Sequence, residues 1–224
     1  MPENQIPGVL HKSLVQTVVE TIEARIISGV LQPGERLIEQ SMCDTLGVSR
    51  APLREAFRVL ENQGFLENRR RKGVYVSQLT HKEAIDIYQI RANLESLATS
   101  LAVKANGREL ANELGAIHAV MKDAVERGDN ECYIANNLKF HEILVSNCGN
   151  ARLIDMLRAF NKHTARYRVK ILTMPGKYEE SIKRHEELIE AIANGDADAA
   201  ERIRKAAVLS NIPRIDATFD DEQE

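Results

Sequence analysis

Residues 33–76 read PGERLIEQSMCDTLGVSRAPLREAFRVLENQGFLENRRRKGVYV. The stretch enters through Gln32-Pro33-Gly34-Glu35, a turn composition. A short helix follows near Glu39 to Leu46 and is closed by Gly47. Ser49 is suited to N-cap the next helix, whose first turn tolerates Pro52. That helix carries Leu53, Ala56, Phe57 and Leu60 on one face, and Arg50, Arg54 and Arg58 at i, i+4 and i+8 on another. Gly64 ends it. Phe65–Glu67 and Val74–Val76 read as short strands flanking Asn68-Arg69-Arg70-Arg71-Lys72-Gly73. Upstream, Leu14, Val18, Ile22 and Ile26 recur every four residues, with Val15, Val19 and Ile27 widening the stripe. This predicts an amphipathic helix ending at Gly29.

Two helices joined by a tight turn, then a basic hairpin tip, make the layout of a winged helix-turn-helix. The second helix is narrow enough for the major groove. Its N-terminal residues reach base edges, while the wing reaches phosphates or the minor groove. An arginine can donate two hydrogen bonds to the O6 and N7 of guanine. Charge is distributed accordingly. The chain's net charge is −3, yet residues 50–72 hold seven Lys and Arg against three acids. Residues 81–224 hold twenty against twenty-four. On charge alone the basic segment fits a phosphate footprint and a solvated face equally well.

The rest of the composition narrows the class. Of 224 residues, 43% are hydrophobic and 28% charged, an ordinary globular mixture long enough for two modest domains. Aromatics are 4%, Trp is absent, and 12 Gly and 6 Pro are too few turn residues for a sandwich or barrel, so a mostly α fold is expected. No apolar run approaches the ~20 residues of a membrane span. Met1 to Leu10 lack the build of a signal peptide. Cys43, Cys132 and Cys148 are odd in number and lack Cys-x-x-Cys spacing. That fits a cytoplasmic location and argues against a disulfide scaffold or a thiolate zinc site.

Beyond Val76-Ser77-Gln78-Leu79, Thr80 and Glu83 form a capping-box pair that starts a new helix. From there the pattern is helical throughout, with helices expected at 81–104, 107–127, 130–146, 151–173, 178–194 and 196–210. The expected domains are residues 1–78, the winged helix-turn-helix, and 79–212, an all-α bundle, followed by a frayed acidic tail, 213–224. Polar residues on apolar stripes mark a candidate pocket. Arg91 interrupts the stripe Ala84, Ile87, Leu94, Ala98, Leu101, and a buried guanidinium needs an acid partner or an anionic ligand. Glu95, four residues on, is the structural partner. Asn137 and His141 share a helix face, and His185 sits among Ile182, Leu188, Ile189 and Ile192. A single histidine on an apolar face is usually a hydrogen-bonded core residue. Two on separate helices favour a pocket.

The 33–76 stretch resembles the DNA-binding domain of the GntR family. The Pro-Gly turn, the Leu-x-Glu, the Gly-Val-Ser-Arg-x-Pro-x-Arg-Glu-Ala run, the Leu-Glu-x-x-Gly and the basic wing occur in order. Carried over by position, the resemblance makes Arg50 and Arg54 readers of bases or phosphates. It sets Ser49 and Ala51 at the groove, Gln40 against backbone or a base edge, and Arg70, Arg71 and Lys72 on phosphates or the minor groove, with Gly73 shaping the tip. Arg58 stays open between a phosphate contact and a surface salt bridge. IRANLESLA, NNLKFHEILVSNCGNARLIDML and RHEELIEAIANGDADAA resemble the FCD ligand-binding domain of the FadR subfamily. That resemblance implies a helical bundle around a cavity for a small organic acid, with Arg91, Asn137, His141 and His185 as effector-binding residues. It also implies a divalent metal such as zinc, held by Asn137, His141 and His185. Ala207 stands where a fourth ligand, usually histidine, is expected. Arg166 and Arg168 are open candidates for the cavity, and His118 and His163 match no ligand position.

Together these readings imply a ligand-responsive transcription regulator, a repressor relieved by a carboxylate effector. It would act as a homodimer on an inverted-repeat, double-stranded DNA operator, with no membrane role. Two other classes stand beside it: an architectural DNA-binding protein without an effector, and a metal-dependent enzyme. The second lacks a nucleophile motif and a general base beyond its own would-be ligands.

Overall fold

The computed structural model describes residues 13–220, without the side chains of Arg166 and Asp220. The readings of Met1–Leu10 and of residues 221–224 therefore lie outside the described residues. The chain divides into two compact units, residues 1–78 and 79–224.

In the first unit, α1 (Leu14–Ile27) is capped by Ser13, whose hydroxyl accepts from the Gln16 amide, and buries Val18, Val19, Ile22 and Ile26. Leu14, first on the predicted stripe, remains 56% exposed. Helices α2 (Glu39–Leu46) and α3 (Arg50–Asn62) follow. Gly47 joins them at φ 65°, a left-handed conformation that a side chain would strain. The apolar face of α3, Leu53, Ala56, Phe57 and Leu60, closes the small core with α1. Leu53 and Leu60 are fully buried, and truncating either to Ala costs roughly 2–5 kcal/mol.

Three antiparallel strands complete the unit in the order β1-β3-β2: β1 (Arg36–Leu37), β2 (Leu66–Arg69) and β3 (Gly73–Val76). Leu66 pairs with Val76, Arg69 with Gly73 and Leu37 with Val74. The hairpin is the predicted one. Strand β1 is additional, because two residues carry no periodic signal and become a strand only by pairing with Val74 and Tyr75.

The second unit is helical: α4 (His81–Glu126), α5 (Asn130–Ser146), α6 (Ala151–His163), α7 (Ala165–Leu172), α8 (Lys177–Ala193), α9 (Ala197–Leu209) and α10 (Ile212–Asp220). Helix α4 opens with the Thr80–Glu83 capping box. It runs 46 residues and packs against α5, α8 and α9. The two helices expected at 81–104 and 107–127 meet within α4 at a kink, where Asn106 leaves helical geometry (φ −156°, ψ 37°). A Cβ on Gly107 would lie 3.1 Å from the Ile192 carbonyl oxygen, so glycine permits the close approach of α8. The expected helix 151–173 is instead two. It breaks at Thr164 (φ −103°, ψ 4°), whose buried hydroxyl donates to the Phe160 carbonyl and accepts from Arg91.

The frayed tail expected from residue 213 is also corrected. Helix α10 docks on α4 and α7 with Ile215 and Thr218 fully buried and Phe219 stacked on Tyr167 at 5.2 Å. Ile212, Ile215 and Phe219 supply an apolar face that the acidic composition concealed. No helix among the described residues is long and apolar enough to cross a membrane.

Candidate nucleic-acid interface and ligand cavity

Two groups of predicted residues are each brought together, one per unit. In the first unit the N-terminus of α3 presents Ser49, Arg50, Ala51 and Arg54, all exposed. Ser49 holds the N-cap position, but its hydroxyl makes no capping bond. Arg50 donates to the Gln40 side-chain amide oxygen, Oε1, at 2.8 Å, and the Gln40 Nε2 donates onward to Asp44 at 3.0 Å. Arg54 forms a two-pronged pair with Glu39, Nε and Nη2 lying 2.9–3.0 Å from its oxygens. That pair holds the Glu39 carboxyl below its usual range. The arginines are thus preset by α2. Glu39 belongs to the Leu-x-Glu motif, yet its partner lies fifteen positions away, and nothing local announces it. Arg58 is exposed on the same helix.

The wing tip is Arg70-Arg71-Lys72, a three-residue loop closed by the Lys72 amide donating to the Arg69 carbonyl at 2.8 Å. Arg71 sits at φ 66°, a conformation rare outside glycine, and Gly73 at φ 104°. All three tip side chains are exposed. Arg69 is occupied differently: it bonds Glu67 at 2.6–2.8 Å and lies 4.3 Å over the Tyr75 ring.

In the second unit a cavity of about 70 Å³ gathers Arg91, Asn137, His141 and His185, the predicted effector residues, with Tyr88, Arg168, Lys177, Ser181, Arg184, Arg204, Ala207 and Asn211. That is small as it stands, room for a few waters or a small ligand. Arg91 and Glu95, each 3% exposed, bond at 2.7 and 3.0 Å, so the predicted structural pair exists, and its Arg91 also lines the cavity. Arg204, from α9, takes the other oxygen of Glu95. Burial works to raise the Glu95 pKa, but the guanidiniums of Arg204, Arg91 and Arg168 outweigh it and hold the carboxyl at about 2. The Arg168 side chain makes no hydrogen bond or ion pair among the described residues. Burial and the neighbouring Arg91 bring it down to about 10, still charged at neutral pH. Lys177 is lowered by burial to about 8, with Glu180 3.5 Å away. Three guanidiniums therefore converge on one carboxylate, leaving positive charge in excess.

The imidazoles face each other. The Nε2 atoms of His141 and His185 are 3.3 Å apart, so one donates and the other accepts. Both Nδ1 atoms are buried without a partner among the described residues. Burial, then the Arg204 charge, pushes both groups down, His185 to about 3, so both are neutral. Asn137 donates to the Ser181 hydroxyl at 3.4 Å. His118 is buried and meets the Ile182 carbonyl at 3.0 Å, and His163 is exposed, as expected of residues outside the site. The side chain of Arg166 is outside the description. Sequence reasoning did not flag Lys177, Ser181, Arg184, Arg204 or Asn211. Their alternation with apolar neighbours at helical spacing was the only available signal.

The donor set suits a divalent metal poorly. Zn–N bonds of about 2.0–2.1 Å would put two imidazole nitrogens about 3.3 Å apart, as found here. However, Asn137, His141 and His185 are all neutral, Ala207 offers a methyl group, and the nearest charges are guanidiniums. No cluster of three or more His, Cys, Asp or Glu able to hold an ion occurs among the described residues.

Comparison with known proteins agrees with both halves. Residues 14–76 match the family described as bacterial regulatory proteins, gntR family, and residues 86–208 match the FCD domain. A protein of Paenarthrobacter nicotinovorans named "Probable D-xylose utilization operon transcriptional repressor" is 31% identical over 90% of this chain and 91% of its own. The gluconate operon transcriptional repressor of Bacillus licheniformis is 29% identical over 79% of this chain and 74% of its own. The solved structure of E. coli McbR/YncC, 23% identical, superposes with a TM-score of 0.78 over 93% of this chain and 100% of that one, a likeness of fold. With a winged helix-turn-helix matched at one end and a ligand-cavity bundle at the other, the chain belongs to the GntR family of DNA-binding transcription regulators and carries an FCD domain.

Proposed function

We propose that the chain is a cytoplasmic repressor that binds an inverted-repeat operator as a homodimer and is released by a small hydroxylated carboxylate. A two-fold dimer reads a two-fold site, one recognition helix per half-site. Arg50 and Arg54, preset by Gln40 and Glu39, would meet base edges, and Arg70, Arg71 and Lys72 the phosphates. The effector reading rests on one observation: Arg91, Arg168 and Arg204 line the cavity, and Glu95, bonded to Arg91 and Arg204, is the one carboxylate that offsets them among the described residues. An incoming carboxylate restores the balance. The relatives named for D-xylose and gluconate operons support a sugar-derived ligand, whose hydroxyls would suit Asn137, Ser181 and the two imidazoles.

A ligand shifts operator binding only by its differential affinity for two states. One route is available inside the second unit. Asn211, at the cavity, leads into α10, and Asp216 of α10 meets His81 at 2.6 Å beside the junction at residues 77–82.

Anisotropy titration of an operator selected from genomic fragments tests this. Arg50→Ala or Arg54→Ala is expected to weaken specific binding by ~1–3 kcal/mol, and unchanged affinity removes the base-reading role. D-gluconate is expected to loosen the wild-type complex and D-xylose to leave it intact. A response to the neutral sugar alone overturns the carboxylate.

A further inference from the structure

Position 207 is where the resemblance expects the last metal ligand, and Arg204 precedes it by three residues, on the same face of α9. Its buried guanidinium reaches Glu95, and it lines the cavity with His141, His185 and Ala207. We propose that this is a metal-free anion site, in which the Arg204 guanidinium, braced by Glu95, takes the place of a divalent ion and receives the ligand's carboxylate beside the two imidazoles. The proposal rests on the effector reading of the cavity and names its chemistry.

Three observations carry it. The charge is already positive without a metal, since Arg91, Arg168 and Arg204 face one carboxylate. A dication held by three neutral donors would add to that excess, with no anionic ligand to offset it. The two Nε2 atoms lie within hydrogen-bond reach of each other at 3.3 Å, and no carboxylate among the described residues lines the cavity beside them. The pairing leaves one buried Nδ1–H and one bare Nδ1 without partners, so the imidazoles retain hydrogen-bonding capacity.

The full chain is equilibrated with zinc chloride, dialysed against metal-free buffer and analysed for zinc per subunit, alongside Ala207→His and Ala207→His with Arg204→Gln. Wild type is expected to retain less than about a tenth of an equivalent. Ala207→His alone, with four donors but the guanidinium kept, is expected to stay low. The double variant is expected to bind zinc on the order of a hundredfold more tightly than Ala207→His. One zinc per wild-type subunit overturns the metal-free site. Equal affinities for the single and double variants overturn the role of Arg204. Acetate, citrate and D-gluconate are expected to raise the wild-type melting temperature in the presence of EDTA. A shift that EDTA abolishes overturns the metal-free site alone. No shift with any of the three overturns the anion site together with the effector reading.

Discussion

A single carboxylate, Glu95, organises the cavity. It satisfies Arg91 from its own helix and Arg204 from α9, and its field reaches Arg168. Removing one partner of a buried ionic cluster leaves uncompensated charge. Glu95→Ala is accordingly expected to destabilise the second unit by about 3–5 kcal/mol in urea unfolding. Arg58→Ala, on an exposed face, is expected to stay within about 0.5 kcal/mol. Comparable losses for the two variants contradict a central role for Glu95. The Arg91–Glu95 pair is legible in the sequence because its members are four apart on a helix. The Arg204–Glu95 pair spans 109 positions and is not. The same contrast separates Arg54, visible on its helix, from Glu39, its partner across the turn.

Elements show where local pattern is sufficient. The wing is such a case: four basic residues between two short apolar strands announce it, and the pairing of Arg69 with Gly73 isolates its tip. Arg69 is held by Glu67 and Tyr75, so Arg70, Arg71 and Lys72 are the free cations of the turn among the described residues. Neutralising these three is expected to reduce the slope of log affinity against log salt by up to roughly 0.9 per lost phosphate contact. An unchanged slope removes the wing from the phosphate backbone. The break at Thr164 is the opposite case. Residues 151–173 carry an unbroken helical period, yet the buried Thr164 hydroxyl bonds Phe160 and Arg91, and the chain turns there. Helix α10 is similar, an acidic-looking segment turned into a helix by the apolar surface that α4 and α7 offer it.

Across the whole molecule the buried charge cluster sets a pH limit on stability. The Glu95 pKa is depressed from 4.5 to about 2 in the folded chain, so its contribution is fully present above about pH 4.5. It is lost as pH falls through that window towards 2, and amounts to roughly 3 kcal/mol on the linkage relation. Stability measured by far-UV circular dichroism in urea is expected to fall steeply between pH 4.5 and 2.5, less so in Glu95→Gln. A flat profile contradicts the depressed carboxyl. The sequence by itself determined the helical period of both units, the Thr80 cap, the turns at Gly47 and Gly64, the basic tip, and the odd placement of Arg91, Asn137, His141 and His185 on apolar stripes. All of these are carried by neighbours within about two helical turns. Only the tertiary structure decided the strand β1, the break at Thr164, the docking of α10, and which cations surround the cavity. Those depend on groups 37 to 135 positions apart, such as Leu37 with Val74, Arg91 with Thr164 and His81 with Asp216. No periodicity records such pairs, because packing of the helices against one another is what brings them within reach.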